Sequence, residues 1–289
     1  DALAFIDDKD AVKAMFDLKD STKDDAVSDL AGWWLDFRKT NNWYALWDWQ
    51  AESGETFDIP EEIAKLKKTL LDKNVPVVER IKAGKEMAGS SIGGRLLISM
   101  VVDEQLSKVI IDGVSNAIFD SPSIEVRTLA SGYFNKPDEK QYSVPEILKL
   151  KGDVTRGETV FMGNCIICHK NGTIGNDIGP DLSSIGQKFD KMAILDAIIH
   201  PNASIVFGYK PVMIKTKGGQ AFYGFLLSEG ETSVLEDMVG RKIVIPSVNI
   251  ENKVEMKTGF MPNGASLGLT DQNLADLSTY LFTLKNSGL

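Results

Sequence analysis

The sequence predicts a mainly α-helical protein of two domains, with a small antiparallel β insertion in the second domain. The 289-residue chain is 43% apolar, long enough and apolar enough to fill two cores of ordinary size. Helical patterning dominates the first half, and β-branched runs separated by glycine-containing turns interrupt the helical patterning of the second. A polar segment without periodicity, residues 135–144, separates the halves and places the predicted domains at 1–138 and 139–289.

Prolines mark the predicted helix starts of the first domain, because proline suits the first turn of a helix. Pro60, Pro76 and Pro122 each precede a helical pattern, and we also expect Ser21 to cap a helix that contains Trp33. The segments after Pro76 and Pro122 each carry an Arg followed by an Ala three residues later. Their offset of about 46 to 47 residues is typical of HEAT-type helical-hairpin repeats, so we predict a HEAT-like domain. A plain irregular helical domain is the alternative.

The five tryptophans of the chain all lie between residues 33 and 49. Aromatic residues at helical spacing are usually buried, so we expect these rings to fill the core between the first helices. The alternative is that Trp43, Trp47 and Trp49 form an exposed patch for a partner.

Residues 165–169 read Cys-Ile-Ile-Cys-His and use both cysteines of the chain and one of its two histidines. C-x-x-C-H is the attachment signature of c-type haem. Two thiols about one helical turn apart can add to the two vinyl groups of the porphyrin, and the adjacent histidine is then held under the iron. We therefore predict one covalent haem c, anchored by Cys165 and Cys168, with His169 as an iron ligand.

Three other interpretations of this pentapeptide compete with haem attachment. A zinc site needs four ligands, and the only further Cys or His is His200, some thirty residues on. A thioredoxin-like redox pair normally lies between a strand and a helix, whereas residues 157–161 have a helical pattern and 170–179 have that of a loop. A structural disulfide between Cys165 and Cys168 is the third alternative.

The β insertion occupies about residues 209–255. Glycine-containing turns separate four β-branched or aromatic-rich runs, a spacing that predicts consecutive hairpins and a small curled sheet. The runs are Tyr209–Thr216, Gln220–Leu227, Ser233–Met238 and Lys242–Val248. We expect passive packing for this sheet; shielding of a haem edge or a docking face are the alternatives.

From Val144 onward the chain resembles a small monohaem class I cytochrome c. Gly157 lies one turn before Phe161 on a first helix, and Thr270 can cap an apolar last helix; the resemblance implies that these two helices cross. It further implies that the carbonyl of Pro180 accepts the Nδ1 proton of His169, which fixes the imidazole with Nε2 on iron.

The second iron ligand must come from elsewhere in the chain. Met261 stands in an irregular, glycine-flanked loop just before the last helix, where a thioether can be projected inward, and cytochromes c usually have His/Met ligation. His200, at the end of an apolar helix, is the alternative ligand, although its position fits a role at the helix C-terminus. We therefore predict His169 and Met261 as the metal ligands.

The whole combination resembles the haem-binding cytochrome c domain family that follows HEAT-like repeats in large multidomain bacterial proteins, often with a sugar-dehydrogenase-like β-propeller upstream. The resemblance covers residues 144–285 and, more loosely, the helical part including Ala2–Ile6. Gly259 departs from the family motif, which usually has Ser two residues before the Met. The residues that carry the resemblance are Arg156-Gly157, Val160-Phe161, Cys165 to His169, Gly179 to Leu182, Ile185-Gly186, Pro201-Asn202, Gly208-Tyr209, Met261-Pro262, Asp276-Leu277 and Tyr280-Leu281.

These observations predict an electron-transfer protein that relays electrons from a dehydrogenase partner or domain to a downstream carrier. No obvious substrate base or nucleophile accompanies the motif, so we interpret the chain as a carrier and not an enzyme in its own right; a haem enzyme or gas-binding sensor with a labile sixth ligand is the alternative. The net charge of −9 argues against nucleic acid, and no apolar run suits a membrane span. Because haem attaches to cysteines outside the cytoplasm, we expect a periplasmic or otherwise exported protein, and a start without Met suggests a piece of a longer chain.

Overall fold

The computed structural model describes residues 2–40, 42–47, 49, 56–136 and 138–285, and its first half is helical. Short 3-10 helices at Ala2–Phe5 and Tyr44–Leu46 flank the first helix pair. The α-helices of this half are α1 (Lys9–Ser21), α2 (Asp25–Lys39), α3 (Glu61–Leu71), α4 (Val77–Ala88), α5 (Ser91–Val102), α6 (Lys108–Phe119) and α7 (Ile124–Ala130).

The second half contains helices at both ends and a sheet between them. Its helices are α8 (Val144–Leu148), α9 (Val154–Asn164), α10 (Ile185–Lys188), α11 (Lys191–Ile199) and α12 (Asp271–Thr283). Its strands are β1 (Val212–Thr216), β2 (Ala221–Glu229), β3 (Thr232–Glu236), β4 (Lys242–Pro246) and β5 (Ile250–Glu255), with a 3-10 turn at Ser247–Asn249. In the described part of the chain, none of the helices has the length and apolar character needed to cross a membrane.

The proline-marked helix starts are confirmed at two positions. Pro60 and Pro76 are the N-cap residues of α3 and α4. Helix α7 begins slightly later than expected, because the side chain of Ser123 accepts a hydrogen bond from the backbone of Val126 and caps it. The prediction for Ser21 is wrong: Ser21 ends α1, and the carboxylate of Asp24 caps α2 by accepting from two backbone N–H groups.

The tryptophans are divided between core and surface. Trp43 and Trp49 are buried, and their indole N–H groups donate to the carbonyls of Ile6 and Trp43, at 3.0 and 3.2 Å. The alternative of an exposed patch is therefore wrong for these two rings. The exposed ring is Trp33 of α2, which is 55% accessible and stacks on Phe37 with a centroid distance of 5.3 Å.

The insertion forms one antiparallel five-stranded sheet in the order β4-β3-β2-β1-β5. Each of the four predicted runs overlaps one of the first four strands, so the predicted sheet is confirmed. Strand β5 was not predicted from the sequence; it pairs with β1 so that Val212 lies opposite Glu255. Its sequence Ile-Glu-Asn-Lys-Val-Glu is mostly polar because β5 is a solvent-facing edge strand, and such strands lack a clear apolar alternation.

The sheet packs against the helices of the first half. One buried cluster unites residues of α3 to α7 with Met213, Tyr223 and Met256 from the insertion. The buried Tyr223 donates its phenolic hydrogen to the carbonyl of Arg95 at 2.8 Å, and Lys215 forms an ion pair with Asp103 at 2.7 Å. The insertion is thus part of a core that it shares with the helical half, while a boundary between residues 138 and 139 stays a prediction.

The polar segment at 138–143 has neither helix nor strand, as its composition predicts; Pro137 lies outside the described residues. It lies along the second half, because Tyr142 donates to the carbonyl of Leu269 at 2.6 Å and Lys140 pairs with Asp271 at 2.8 Å.

Helices α9 and α12 form the centre of the second half. A Cβ atom added to Gly157 would lie only 2.1 Å from the backbone oxygen of Asp276, so glycine permits the close approach of the two helices. The predicted cap is confirmed, since Thr270 and Asn273 form a reciprocal capping box at the start of α12.

An ion pair between the exposed Arg156 and the buried Asp276 fixes the same helix crossing. Arg156 donates to both carboxylate oxygens of Asp276 at 2.7 and 2.8 Å, and the backbone N–H of Asp153 adds a third bond at 2.8 Å. The side chain of Asp276 is only 2% exposed. The hydrogen bonds from Arg156 hold the pKa of Asp276 below its ordinary value, against the opposing effect of burial.

We predict opposite effects for alanine at two glycines of α9. Gly157→Ala should lower the free energy of unfolding by about 1–3 kcal/mol, because the new methyl group must push backbone against backbone. Gly163→Ala is the matched control: a Cβ atom at Gly163 would meet nothing within 4 Å, and replacing helical glycine is worth about 0.5–1 kcal/mol of added stability. Denaturant unfolding of both variants measures the difference; equal stabilities would contradict the close crossing.

Candidate haem-attachment site

Cys165 follows directly after α9, and the chain turns there. The N–H of Cys165 still donates to Phe161 at 2.8 Å, and the N–H groups of Cys168 and His169 both donate to the carbonyl of Cys165, at 3.1 and 2.8 Å. This turn brings both thiols and the imidazole to the end of one helix. Both cysteines are free thiols. The element before the motif is a helix, so the strand-to-helix setting of a thioredoxin-like pair is not present here.

The loop after the motif folds back on the turn. The backbone N–H of Gly179 donates to the carbonyl of Cys168 at 2.7 Å, and the N–H of Leu182 donates to Lys170 at 2.9 Å. The loop thereby places the carbonyl oxygen of Pro180 2.7 Å from Nδ1 of His169. Because a carbonyl can only accept, Nδ1 carries the proton in this contact, and the lone pair of Nε2 is left for another ligand.

Burial sets the protonation states of the motif. It raises the pKa of the Cys165 thiol to about 12, with a smaller contribution from Cys168, and it raises the pKa of Cys168. It also lowers the pKa of His169, against the opposing effect of the bond to Pro180. At neutral pH the site therefore holds two protonated thiols and a neutral imidazole. The neutral imidazole has a lone pair with which it can bind a metal.

The surroundings of the motif are apolar. Cys165, Ile166, Leu182 and Met261 are partly buried against one cluster, whose buried members are Ile147, Phe161, Ile194, Leu195, Ile198, Ile199, Leu269, Leu274, Ala275, Leu277, Tyr280 and Leu281. A neutral imidazole, two free thiols and a thioether beside an apolar core form a donor set that suits a haem. The residues present therefore fit the group that the motif implies.

The two candidates for the second ligand lie in different settings. Met261 follows a buried Phe260 in the irregular segment before α12 and packs against the same cluster as Cys165. His200 is the C-cap residue of α11; its side chain is 57% exposed, and its Nδ1 lies 2.9 Å from the carboxylate of Asp196. The helix-end position expected for His200 is confirmed.

The structure shows the contacts of several residues that carry the family resemblance, and it adds Asn171 to them. A Cβ atom at Gly179 would lie 2.7 Å from Cε1 of His169, so this glycine lets the loop pass directly beside the imidazole. Asn171 donates to the phenolic oxygen of Tyr280 at 3.0 Å and ties the motif loop to α12. The side chain of Asn202 accepts from the backbone N–H of Gly259 at 2.8 Å. No local pattern predicts the bonds of Asn171 with Tyr280 and of Asn202 with Gly259, because each joins segments more than fifty positions apart.

Comparison with known proteins agrees with this geometry. The cytochrome c family matches residues 154–239, a range that includes the C-x-x-C-H turn and Pro180 but ends before Met261. The chain therefore contains a cytochrome c domain, a class that implies covalently bound haem c.

A curated relative is the cytochrome c-553-like protein of Synechocystis sp.. It is 36% identical to this chain over 56 residues, which are 19% of this chain and 52% of that protein. The chain thus spans about half the length of the curated relative that it matches.

Gly179→Ala should disturb the imidazole. The added methyl group would lie 2.9 Å from Nδ1 of His169, so the ring or the loop must move and the bond to Pro180 must weaken. We expect a loss of about 1–3 kcal/mol in the free energy of unfolding. We also expect a higher reduction potential in the haem-loaded protein, since a less basic imidazole stabilises ferric iron less. Gly163→Ala is the control, and an unchanged potential in Gly179→Ala would contradict the proposed packing.

Proposed function

We propose that this chain is an electron-transfer protein that carries one covalent c-type haem with His169 and Met261 as axial ligands. The observation that carries the proposal is the C-x-x-C-H turn, with Nδ1 of His169 held 2.7 Å from the carbonyl of Pro180, inside the segment that matches the cytochrome c family. A bound haem supplies reversible one-electron chemistry.

Each residue of the site has a distinct role in this proposal. Cys165 and Cys168 would hold the group covalently through their sulfur atoms. Pro180 keeps the proton of His169 on Nδ1 and so directs Nε2 to the metal. Met261 would supply a soft thioether as the second iron ligand, which favours ferrous iron more than a second imidazole would.

The partners follow from the class of the domain. Cytochrome c domains interact with redox proteins and are often exported, so we place this chain in the periplasm or another exported location. Electrons would enter from a dehydrogenase partner or domain and leave to a second carrier. The acidic surface, with a net charge of −9, favours a basic docking partner.

We further propose that the helical half contains two HEAT-like repeats. Helices α3 and α6 begin at residues 61 and 108, and α4 and α7 begin at 77 and 124, so both pairs of starts are 47 residues apart. The arginine of each copy donates to an upstream carbonyl: Arg80 to Leu70 at 2.7 Å and Arg127 to Ser121 at 2.5 Å. The equal offset of the two pairs of helix starts and of the two arginines supports a repeat.

The covalent attachment has a direct test. Protein isolated from cells that mature c-type cytochromes should keep its haem through acid-acetone extraction and give a c-type pyridine haemochrome spectrum. The double variant Cys165→Ser/Cys168→Ser should release any haem that it binds. Free extraction from the wild-type protein, or two titratable thiols in its haem-loaded form, would show that the central assignment is wrong.

The axial ligands can be separated by two variants. Met261→Ala should lose the near-infrared band of thioether ligation, bind added imidazole and show a markedly lower reduction potential, while the covalent haem stays attached. His200→Ala should keep the wild-type spectrum because its side chain lies at an exposed helix end. The reverse pattern would identify a bis-histidine haem, and a high-spin ferric wild-type protein would favour ligand binding or catalysis over electron transfer.

A further inference from the structure

The segment that leads into Met261 is buried in the core shared by the sheet and the helices of the first half. Met256, Thr258 and Phe260 are 0%, 0% and 7% exposed. Met256 and Phe260 belong to the cluster that contains residues of α3 to α7, and the ring of Phe260 packs edge-on against Phe225 of β2 at 5.1 Å. The backbone on one side of Met261 is thus embedded in the helical half, whereas Met261 itself packs against the cytochrome c core.

Two residues just after α7 touch this segment directly. The phenolic oxygen of Tyr133 accepts a hydrogen bond from the backbone N–H of Lys257 at 3.0 Å and lies 3.8 Å from the sulfur of Met256. Gly132 lies against Thr258 so closely that an added Cβ atom would be 1.9 Å from the Thr258 hydroxyl oxygen. These contacts leave the segment 256–258 no room to move toward α7.

The polar segment after Tyr133 continues this support on the other side of Met261. Glu139 accepts from the side-chain amide of Asn263 at 3.1 Å, and Tyr142 donates to the carbonyl of Leu269 at 2.6 Å. Residues 132–142 therefore contact the Met261 loop both before and after the methionine. From the cytochrome c half, the loop is held by Asn202 at Gly259 and by the carbonyl of Ile198 at Gly264.

We propose that Gly132 and Tyr133 are positioning residues for Met261, so that the helical half sets the strength of the sixth ligand. The inference rests on the proposed role of Met261 as the axial ligand. A thioether binds weakly, so the ligand stays in place only as long as its loop does not open. A loop that Gly132 and Tyr133 hold in place opens rarely. Any shift of these two residues at the end of α7 would therefore change how often Met261 leaves the iron.

The test measures how readily imidazole displaces the methionine in the full-length, haem-loaded protein. Tyr133→Phe removes only the hydroxyl group and should lower the imidazole concentration for half-saturation about fivefold, because one partly buried hydrogen bond is lost. Gly132→Ala should lower it about tenfold and reduce the potential, because its methyl group displaces Thr258. The double variant Gly132→Ala/Thr258→Ala should recover most of the wild-type value, because the hydroxyl it removes has no hydrogen-bond partner among the described residues.

Gly84→Ala is the matched control within the helical half. Its Cβ atom would lie 2.6 Å from Val114 Cγ1, so the variant overpacks the contact of α4 with α6 without touching segment 256–260. It should lower the free energy of unfolding and leave imidazole binding unchanged. If Gly84→Ala lowers the imidazole concentration for half-saturation as much as Gly132→Ala does, the effect comes from general destabilisation and the inference is wrong.

Met261→Ala separates this inference from the proposed function. If that variant loses the thioether band while Tyr133→Phe and Gly132→Ala bind imidazole like the wild type, the positioning role is wrong and the proposed ligation stands. If Met261→Ala keeps the band, the proposed ligation fails and this inference fails with it. Should Gly132→Ala not fold, Tyr133→Phe alone decides.

Discussion

The close crossing of α9 and α12 is the constraint on which the candidate site depends. Helix α9 runs directly into Cys165, and α12 follows the loop that carries Met261, so the crossing sets the spatial relation between the two ends of the site. Gly157 permits the approach, and the pair of Arg156 with the nearly inaccessible Asp276 fixes its register. Replacing Arg156 alone would leave the carboxylate of Asp276 buried without its main hydrogen-bond donor, and a buried charge without its partner lowers the stability of the fold.

The second half of the chain contributes to two different cores. The chain leaves the cytochrome c core after α11, forms a sheet on the helices of the first half, and returns to the cytochrome c core at Met261. A fragment that begins near Val144 would keep the motif and Met261, but it would expose the face of the sheet that carries Met213 and Tyr223, both 0% exposed in the full chain. The helical half is thus a structural partner of the second half and not an appended extension.

Much of the site could be predicted from the sequence, because its signals are local. The Cys-Ile-Ile-Cys-His turn, the Thr270 cap and four of the strands each depend on residues close in the chain. Periodicity indicates which face of a strand or helix is apolar, but it does not indicate which other element packs against that face. The packing of the sheet on α3 to α7 was therefore not predictable. Similarly, Ser21 and Asp24 are both of residue types that cap helices well. Because α1 extends through Ser21, the cap of α2 is Asp24. The contacts of Tyr133 with the Met261 loop join residues more than one hundred positions apart, and no local pattern encodes them.

The shared core also has a kinetic consequence. Contacts such as Tyr223 with Arg95 and Lys257 with Tyr133 span more than one hundred residues, so their formation requires the closure of large loops. During synthesis the helices α3 to α7 emerge first and keep an uncovered apolar face until the strands follow. The thiols of the C-x-x-C-H turn emerge before α12, the helix that closes over α9, has been made. Because α12 follows the motif in the chain, the crossing of α9 with α12 forms only after both cysteines have been made.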